Sequence, residues 1–177
     1  PYGIGGFGWN AYDFVDFLVS CKQHYWQILP LTTTSYGDSP YQSFSARAGN
    51  PNFIDFAELI EAGYLEQRDI DGVYLGSDPS NVDYGAIFGG RRQILDRAAE
   101  RFAADKPADF DDFVQTNEDW LIPYCEFMTV KEECGLKAFW EWPAELRTRG
   151  EASAKVCAAH PARMLYHQMT QYFFDRQ

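Results

Sequence analysis

Apolar and polar positions along this chain fall mostly into helical stripes. Ala11, Phe14, Val15 and Leu18 share one face of a helix expected over residues 11–22, with Asn10 as its cap and Asp13 as the capping-box acid. Residues 25–31, YWQILPL, read as a buried strand. Asp55 opens a short helix through Ile60 that Gly63 closes, and 64–83, polar with Gly, Pro, Ser and Asp, predict loop. Ile94, Leu95, Ala98 and Phe102 stripe a helix within 84–104, and Phe110, Phe113 and Val114 face inward from a helical turn over 109–116. Asn117 is expected to cap a helix carrying Trp120, Leu121, Tyr124, Phe127 and Met128 and ending at Gly135, where Pro123 is tolerable only in the first turn. FWEWPAELR (139–147) runs into a short helix with Pro143 in its first turn. The last helix begins near Pro161, with Met164, Leu165, Gln168, Met169, Tyr172 and Phe173 on its apolar side. One strand among several helices cannot make a sheet. The pattern therefore reads as a piece of a larger fold, without internal repeats.

Between the strand and the short helix lies GDSPYQSFSARAGNP (37–51), which follows no helical or alternating period. Tyr36, Tyr41 and Phe44 supply rings, and Asp38, Ser39, Gln42 and Ser43 supply donors and acceptors. A sugar asks for this mixture: a ring to stack on its C–H face and short polar groups for its hydroxyls. Loops at the C-terminal end of a barrel strand carry function in this way. The competing reading is an Ω-loop whose rings pack on its own body, and the residues alone leave both open.

Composition narrows the classes. The 177 residues make one ordinary domain, and aromatics reach 17%, with 11 Tyr, 14 Phe and 5 Trp, enough for a core and for ring-bearing surface besides. The net charge of −11, with no basic cluster beyond Arg91-Arg92, argues against nucleic acid and anionic membrane and fits a neutral substrate. Cys21, Cys125, Cys134 and Cys157 form no C-x-x-C pair, so free thiols in a reducing compartment are expected and no metal. No apolar run approaches the roughly 20 residues of a membrane span, and PYGIGGFGW lacks the features of a signal peptide; the expected location is cytoplasmic. Gly3-Ile4-Gly5-Gly6-Phe7-Gly8 spells G-x-G-x-x-G, but no strand precedes it and no acid follows at the required distance, so it reads as a tight loop rather than a nucleotide site. His24, His160 and His167 are scattered. Asp111-Asp112 and Glu132-Glu133 are adjacent pairs whose members diverge on a helix. No two carboxylates present themselves as a pair flanking a glycosidic bond.

In order, PYGIGGFG, YWQILPL, YGDSPYQSFSARAGNP and EAGYL resemble the N-terminal region of the 4-α-glucanotransferases, the amylomaltase or disproportionating-enzyme group, family 77 of the glycoside hydrolases. NVDYGAI with ILDRAAERF, NEDWLIPYCEFMTVKEECG, FWEWPAELR and YFFDRQ follow more weakly, so the likeness spans nearly the whole chain. The resemblance implies an α/β fold, the mostly helical first part of a (β/α)8 TIM barrel with an inserted helical subdomain. Residues 1–63 would hold the first barrel strand, its flanking helices and the sugar loop, and 64–177 the helical insert and the approach to the second strand. It implies transfer of α-1,4-glucan segments to glucose or maltooligosaccharide acceptors by a retaining double displacement, without cofactor or metal. Tyr41 matches the family tyrosine that stacks on the sugar beside the cleavage point, Ser39 the neighbouring hydroxyl, and Tyr36 an aromatic of a second glucan groove; Asp38 and Gln42 belong to loop architecture. The family's catalytic Asp, Glu and Asp match positions beyond Gln177, and a barrel needs about 200 residues or more. The isolated chain is therefore expected to be inactive. Trp9, Pro123 and His160-Pro161 depart from the family pattern, none within the sugar block. The alternative from another class is a non-catalytic α-glucan-binding or helical scaffold module.

Overall fold

Phe102 stands where the apolar stripes converge in the computed structural model, which describes residues 2–34 and 37–177. In chain order the helices are α1 (Trp9–Ser20), α2 (Phe56–Glu61), α3 (Gln67–Ile70), α4 (Tyr84–Ala104), α5 (Phe110–Thr116), α6 (Glu118–Glu133), α7 (Glu151–Ala159) and α8 (Pro161–Arg176). The α4 stripe of Ile94, Leu95, Ala98 and Phe102 is fully inside. The Phe102 ring lies 4.8 Å from Phe110, 5.4 Å from Tyr64 and 5.6 Å from Phe173, in tilted or edge-on arrangements that suit ring quadrupoles. Met169, Tyr172 and Phe173 bring α8 into the same core, against Phe56 and Leu59 of α2. A second, smaller cluster joins Ala48 to Leu121, Tyr124 and Cys125 of α6.

One carboxylate ties the three long helices together. Glu132 of α6 accepts Nε and Nη2 of Arg163 from α8, at 2.7 and 3.0 Å, and faces Arg92 of α4 at 2.9 Å. Arg163 spends its remaining arm on Asp96 of α4 at 2.5 Å, and Nε2 of the buried His167 lies 3.1 Å from Glu132 Oε1. Burial alone would raise the Glu132 pKa; its contacts with His167 and Arg163 outweigh this and bring it down to about 2. Burial pushes His167 below the ordinary histidine value.

The short helices have local causes. Asp55 Oδ1 accepts the Ala57 N–H at 2.7 Å to start α2, and Gly63, at φ 82°, ends it. Within the stretch expected to be loop, Asp69 closes α3 by accepting the Glu66 N–H at 2.8 Å and pins it to α4 through Arg101 at 2.6 Å. Neither α3 nor α7 is announced by an apolar stripe. Asn117 precedes α6 but does not cap it with its side chain: its amide donates to Phe113 O and accepts from Trp120 Nε1. Pro123 sits in the second turn of α6, later than expected, and the helix continues past it. FWEWPAELR forms two 3₁₀ turns, Phe139–Glu141 and Ala144–Leu146, in place of a helix.

Two expectations near the start of the chain are corrected. Residues 25–31 form no strand: Tyr25 is 95% exposed, Trp26 and Leu29 are exposed with it, and the first ladder contact is an isolated antiparallel bridge from Thr32 to Gly49. A strand exists only where a neighbour takes its N–H and C=O groups, and among the described residues none lies beside 25–30. α1 begins earlier than predicted, with Gly8 rather than Asn10 at its N-cap. A Cβ at Gly8 would lie 2.0 Å from Asp55 Oδ2, so that position takes no capping side chain. The α1 apolar face is also not buried: Phe14, Val15, Phe17 and Val19 stay exposed, with Phe14 5.0 Å from Trp26. Exposed apolar surface on this scale marks a contact face.

Glu132→Gln should cost about 3 kcal/mol of unfolding free energy, because it takes the carboxylate from Arg92 and leaves Arg163 with Asp96 alone. The Glu132 pKa lies below its ordinary 4.5 in the fold, so its contribution is complete above that value and disappears as pH falls toward about 2. Urea unfolding across this window should show stability falling with acid in the wild type and falling less in the variant.

Candidate functional site

The 37–51 stretch divides into an anchored half and an exposed half. The anchored half is ARAGNP. Thr33 N–H donates to Ala48 O at 3.2 Å and Asn50 N–H to Leu31 O at 2.9 Å, closing the loop at its stem. Ala48 is small and wholly buried against α6. Gly49 lies so close to α8 that a Cβ there would sit 2.1 Å from Phe174 Cδ1. Its backbone is held on both sides by the buried Gln171 side chain: Gly49 N–H donates to Oε1 at 2.7 Å and Nε2 donates to Gly49 O at 3.0 Å. Asn50 Oδ1 accepts the Asn52 N–H at 3.0 Å and starts the 3₁₀ turn Pro51–Phe53. Gln177 then repeats the clamp on Asp55, at 2.7 and 3.2 Å.

The exposed half is GDSPYQSFS. Gly37 and Asp38 both take left-handed backbone, φ 86° and 54°, a conformation that aspartate tolerates better than most residues. This supports the assignment of Asp38 to loop architecture. The serines serve the loop first. Ser45 Oγ accepts the N–H groups of Arg47 and Ala48, at 3.1 and 3.0 Å; Ser43 Oγ accepts the Ser45 N–H and pairs with Thr33 Oγ1 at 3.1 Å. Ser39 Oγ accepts the Tyr41 N–H at 3.4 Å, which leaves its own proton free to donate outward. Arg47 meets Asp119 of α6 at 2.9 Å on the surface.

The rings part company. Phe44 packs on the body, 6.0 Å from Phe127 of α6, so the Ω-loop reading holds for that residue. Tyr41 is 74% exposed, and its hydroxyl bonds to nothing among the described residues. It presents a whole ring face to solvent next to the half-buried Ser39. Tyr36 lies outside the described residues. Two clefts of about 350 Å³ lie elsewhere, one between Gly3–Gly5 and Leu75–Val82, the other where α2 meets the end of α8. Tyr41 therefore stands on open surface rather than in an enclosed cleft. The G-x-G-x-x-G stretch proves to be packing: Phe7 N–H donates to Phe53 O at 3.0 Å, and its ring lies 5.2 Å from Phe174.

Glu132, the carboxylate at the centre of the helix core, is paired with Arg92 and Arg163 and held as an anion. Sequence reasoning missed the residues beneath the loop, namely Gln171, Phe127, Lys131 and Trp142. Gln171 carried no signal of its own: the apolar side read for the last helix included Gln168 and left Gln171 out.

A family model described as 4-alpha-glucanotransferase, glycoside hydrolase family 77, matches residues 1–177. The chain belongs to this family. A 4-alpha-glucanotransferase of Streptococcus pneumoniae is 51% identical over 179 residues, which cover 99% of this chain and 35% of the relative. One from Thermus thermophilus is 38% identical over 182 residues, 100% of this chain and 35% of the relative. Among solved structures, the amylomaltase from Streptococcus agalactiae in complex with acarbose superposes with a TM-score of 0.91 at 46% identity, over 99% of this chain and 36% of that one. The chain thus spans about a third of the length of the family members it matches.

Gly49→Ala should destabilise the fold by about 2 kcal/mol through collision with Phe174. Tyr41→Ala, whose ring leaves no cavity, should stay within about 0.5 kcal/mol of wild type. Thermal and urea unfolding of the two variants side by side checks this contrast between architecture and exposed surface.

Proposed function

We propose that this chain forms part of a 4-α-glucanotransferase, which moves segments of α-1,4-glucans to glucose or maltooligosaccharide acceptors. The observation that carries the reading is Tyr41: an exposed aromatic face, held on a loop with its own hydrogen-bonded scaffold, beside a serine with a proton to give. A ring in that state stacks on the C–H face of a glucose unit. Ser39 supplies a polar contact to the same glucan, and Tyr36 an aromatic of a second glucan groove. Family membership and the acarbose bound to the S. agalactiae neighbour, a maltooligosaccharide mimic, support a glucan as the ligand.

The reaction proposed is a retaining double displacement: a carboxylate attacks the anomeric carbon as the glycosidic C–O bond breaks and the leaving sugar takes a proton from the acid/base, and the acceptor hydroxyl, giving its proton back to that group, then displaces the carboxylate. Neither the nucleophile nor the acid/base is assigned to a residue of this chain. Its part is to bind and orient the donor. In this reading residues 1–63 provide the first strand of a TIM barrel and the sugar loop, while 64–177 form a helical insert that holds the loop through Gln171 of α8 and Gln177 just beyond its end. The exposed faces of α1 and of 25–31 are then the surfaces that further barrel strands and helices cover, and YWQILPL becomes a strand when a neighbour supplies its ladder. Metals and organic cofactors have no part in the proposal. The place of work is the cytoplasm, among maltooligosaccharides or starch-like and glycogen-like glucans.

In the protein at its natural length, Tyr41→Ala should lower kcat/KM for maltotriose disproportionation by about 10- to 100-fold, read as glucose released. The 177-residue chain alone should release none. Glucose release by that chain, abolished by Tyr41→Ala, would sink the claim that the catalytic carboxylates lie elsewhere. Unchanged kinetics in the natural-length variant would sink the role of Tyr41.

A further inference from the structure

Lys131 is buried, with 9% of its surface exposed, and meets no carboxylate among the described residues. A lysine in that position normally pairs with an acid. Its ammonium instead donates to Leu136 O at 3.1 Å and Lys137 O at 2.9 Å, and its third side lies 4.9 Å from the centre of the Phe44 ring. Two carbonyl dipoles and one ring face therefore hold a positive charge. Burial pushes the Lys131 pKa below the ordinary lysine value.

The ammonium has a fixed seat. α6 ends in a Schellman turn: Gly135 N–H donates to Glu132 O at 2.9 Å and Leu136 N–H to Lys131 O at 2.8 Å, with Gly135 and Leu136 both left-handed. The Lys131 main chain thus grips the residue whose carbonyl its own side chain binds. Trp142 Nε1 donates to the same Lys137 O at 3.1 Å, and the Trp142 ring lies 5.2 Å from Phe127, which also touches Phe44. Phe44 rests on a bracket built from α6 and the turn that follows it. Toward Tyr41, Phe44 and Ser43 are the last side chains of the loop with anchors outside it; beyond them only Ser39 organises the tip.

We propose that Lys131 is a positioning residue for glucan binding: its ammonium fixes the Phe44 ring, and through Phe44 it sets where Tyr41 stands. This rests on reading the loop as a glucan-binding element. The cation does not touch the sugar.

The test uses the protein at its natural length, with maltoheptaose as the probe and calorimetry as the readout. Lys131→Met keeps the stem and removes the charge; it should weaken binding about five- to tenfold. KM for the donor should rise in step while kcat changes by less than about twofold. Phe44→Leu should produce the same loss and Phe44→Tyr, which keeps the ring face, should bind as wild type. The Lys131→Met/Phe44→Leu double variant should be no weaker than either single one, because both break one link. Wild-type affinity in Phe44→Leu, or losses that multiply in the double variant, would overturn the proposal. Should Lys131→Met fail to fold, the Phe44→Leu and Phe44→Tyr comparison decides it alone. If wild-type protein takes up no maltoheptaose, the glucan reading falls as well; if it binds while the variants match it, only the role of Lys131 falls.

Discussion

Two glutamine side chains, Gln171 in α8 and Gln177 just beyond its end, do for the 49–55 segment what a neighbouring strand would do. A carboxamide carries the same donor and acceptor as a peptide group, so Gln171 satisfies both sides of Gly49 and Gln177 both sides of Asp55. The anchored end of the 37–51 loop hangs from these clamps. α8 is itself immobilised by Tyr172 and Phe173 in the core and by Arg163 in the Glu132 network. The loop therefore inherits its position from the most buried part of the molecule, although its own tip is bathed in solvent. The same dependence runs through Gly8, which must lack a side chain because Asp55 stands against it.

The helical part of this fold was legible because its stripes are complete within the chain. Ile94, Leu95, Ala98 and Phe102 meet Met169, Tyr172 and Phe173, and both halves of that contact are present. α1 and YWQILPL show the reverse. Their apolar patterns are as clear, and a pattern states which face is to be covered without stating what covers it. Phe14, Val15, Tyr25 and Leu29 remain in water, and 25–31 takes up no regular secondary structure. Caps were misread where a tertiary neighbour intervened: Asn10 looked like the start of α1 until Asp55 was seen to occupy the space beside Gly8.

Sequence reasoning treated the 37–51 stretch as uniform. The coordinates separate ARAGNP, which is architecture, from GDSPYQSFS, which carries the exposed ring. Tyr41 and Phe44 are the same kind of residue a few positions apart, and only packing against Phe127 distinguishes them. Lys131 could not have been foreseen. Its two backbone partners are near in sequence, but its ring partner comes from another part of the chain, and a lysine in the last turn of a helix reads as a solvated charge. Tyr36 falls outside the described residues, and its part in a second groove remains a proposal.

The serine turns of the loop have a thermodynamic corollary. Between Ser39 and Ala48 the backbone N–H groups of Tyr41, Ser45, Arg47 and Ala48 are taken up by the hydroxyls of Ser39, Ser43 and Ser45 in succession. In the proposed reading, a glucan arriving at Tyr41 finds that span already ordered, so little chain entropy is spent on closing around it. The heat capacity of association then reflects only the hydrocarbon faces of ring and sugar that leave water, a small and negative change, and not the larger signature of a segment that folds as it binds.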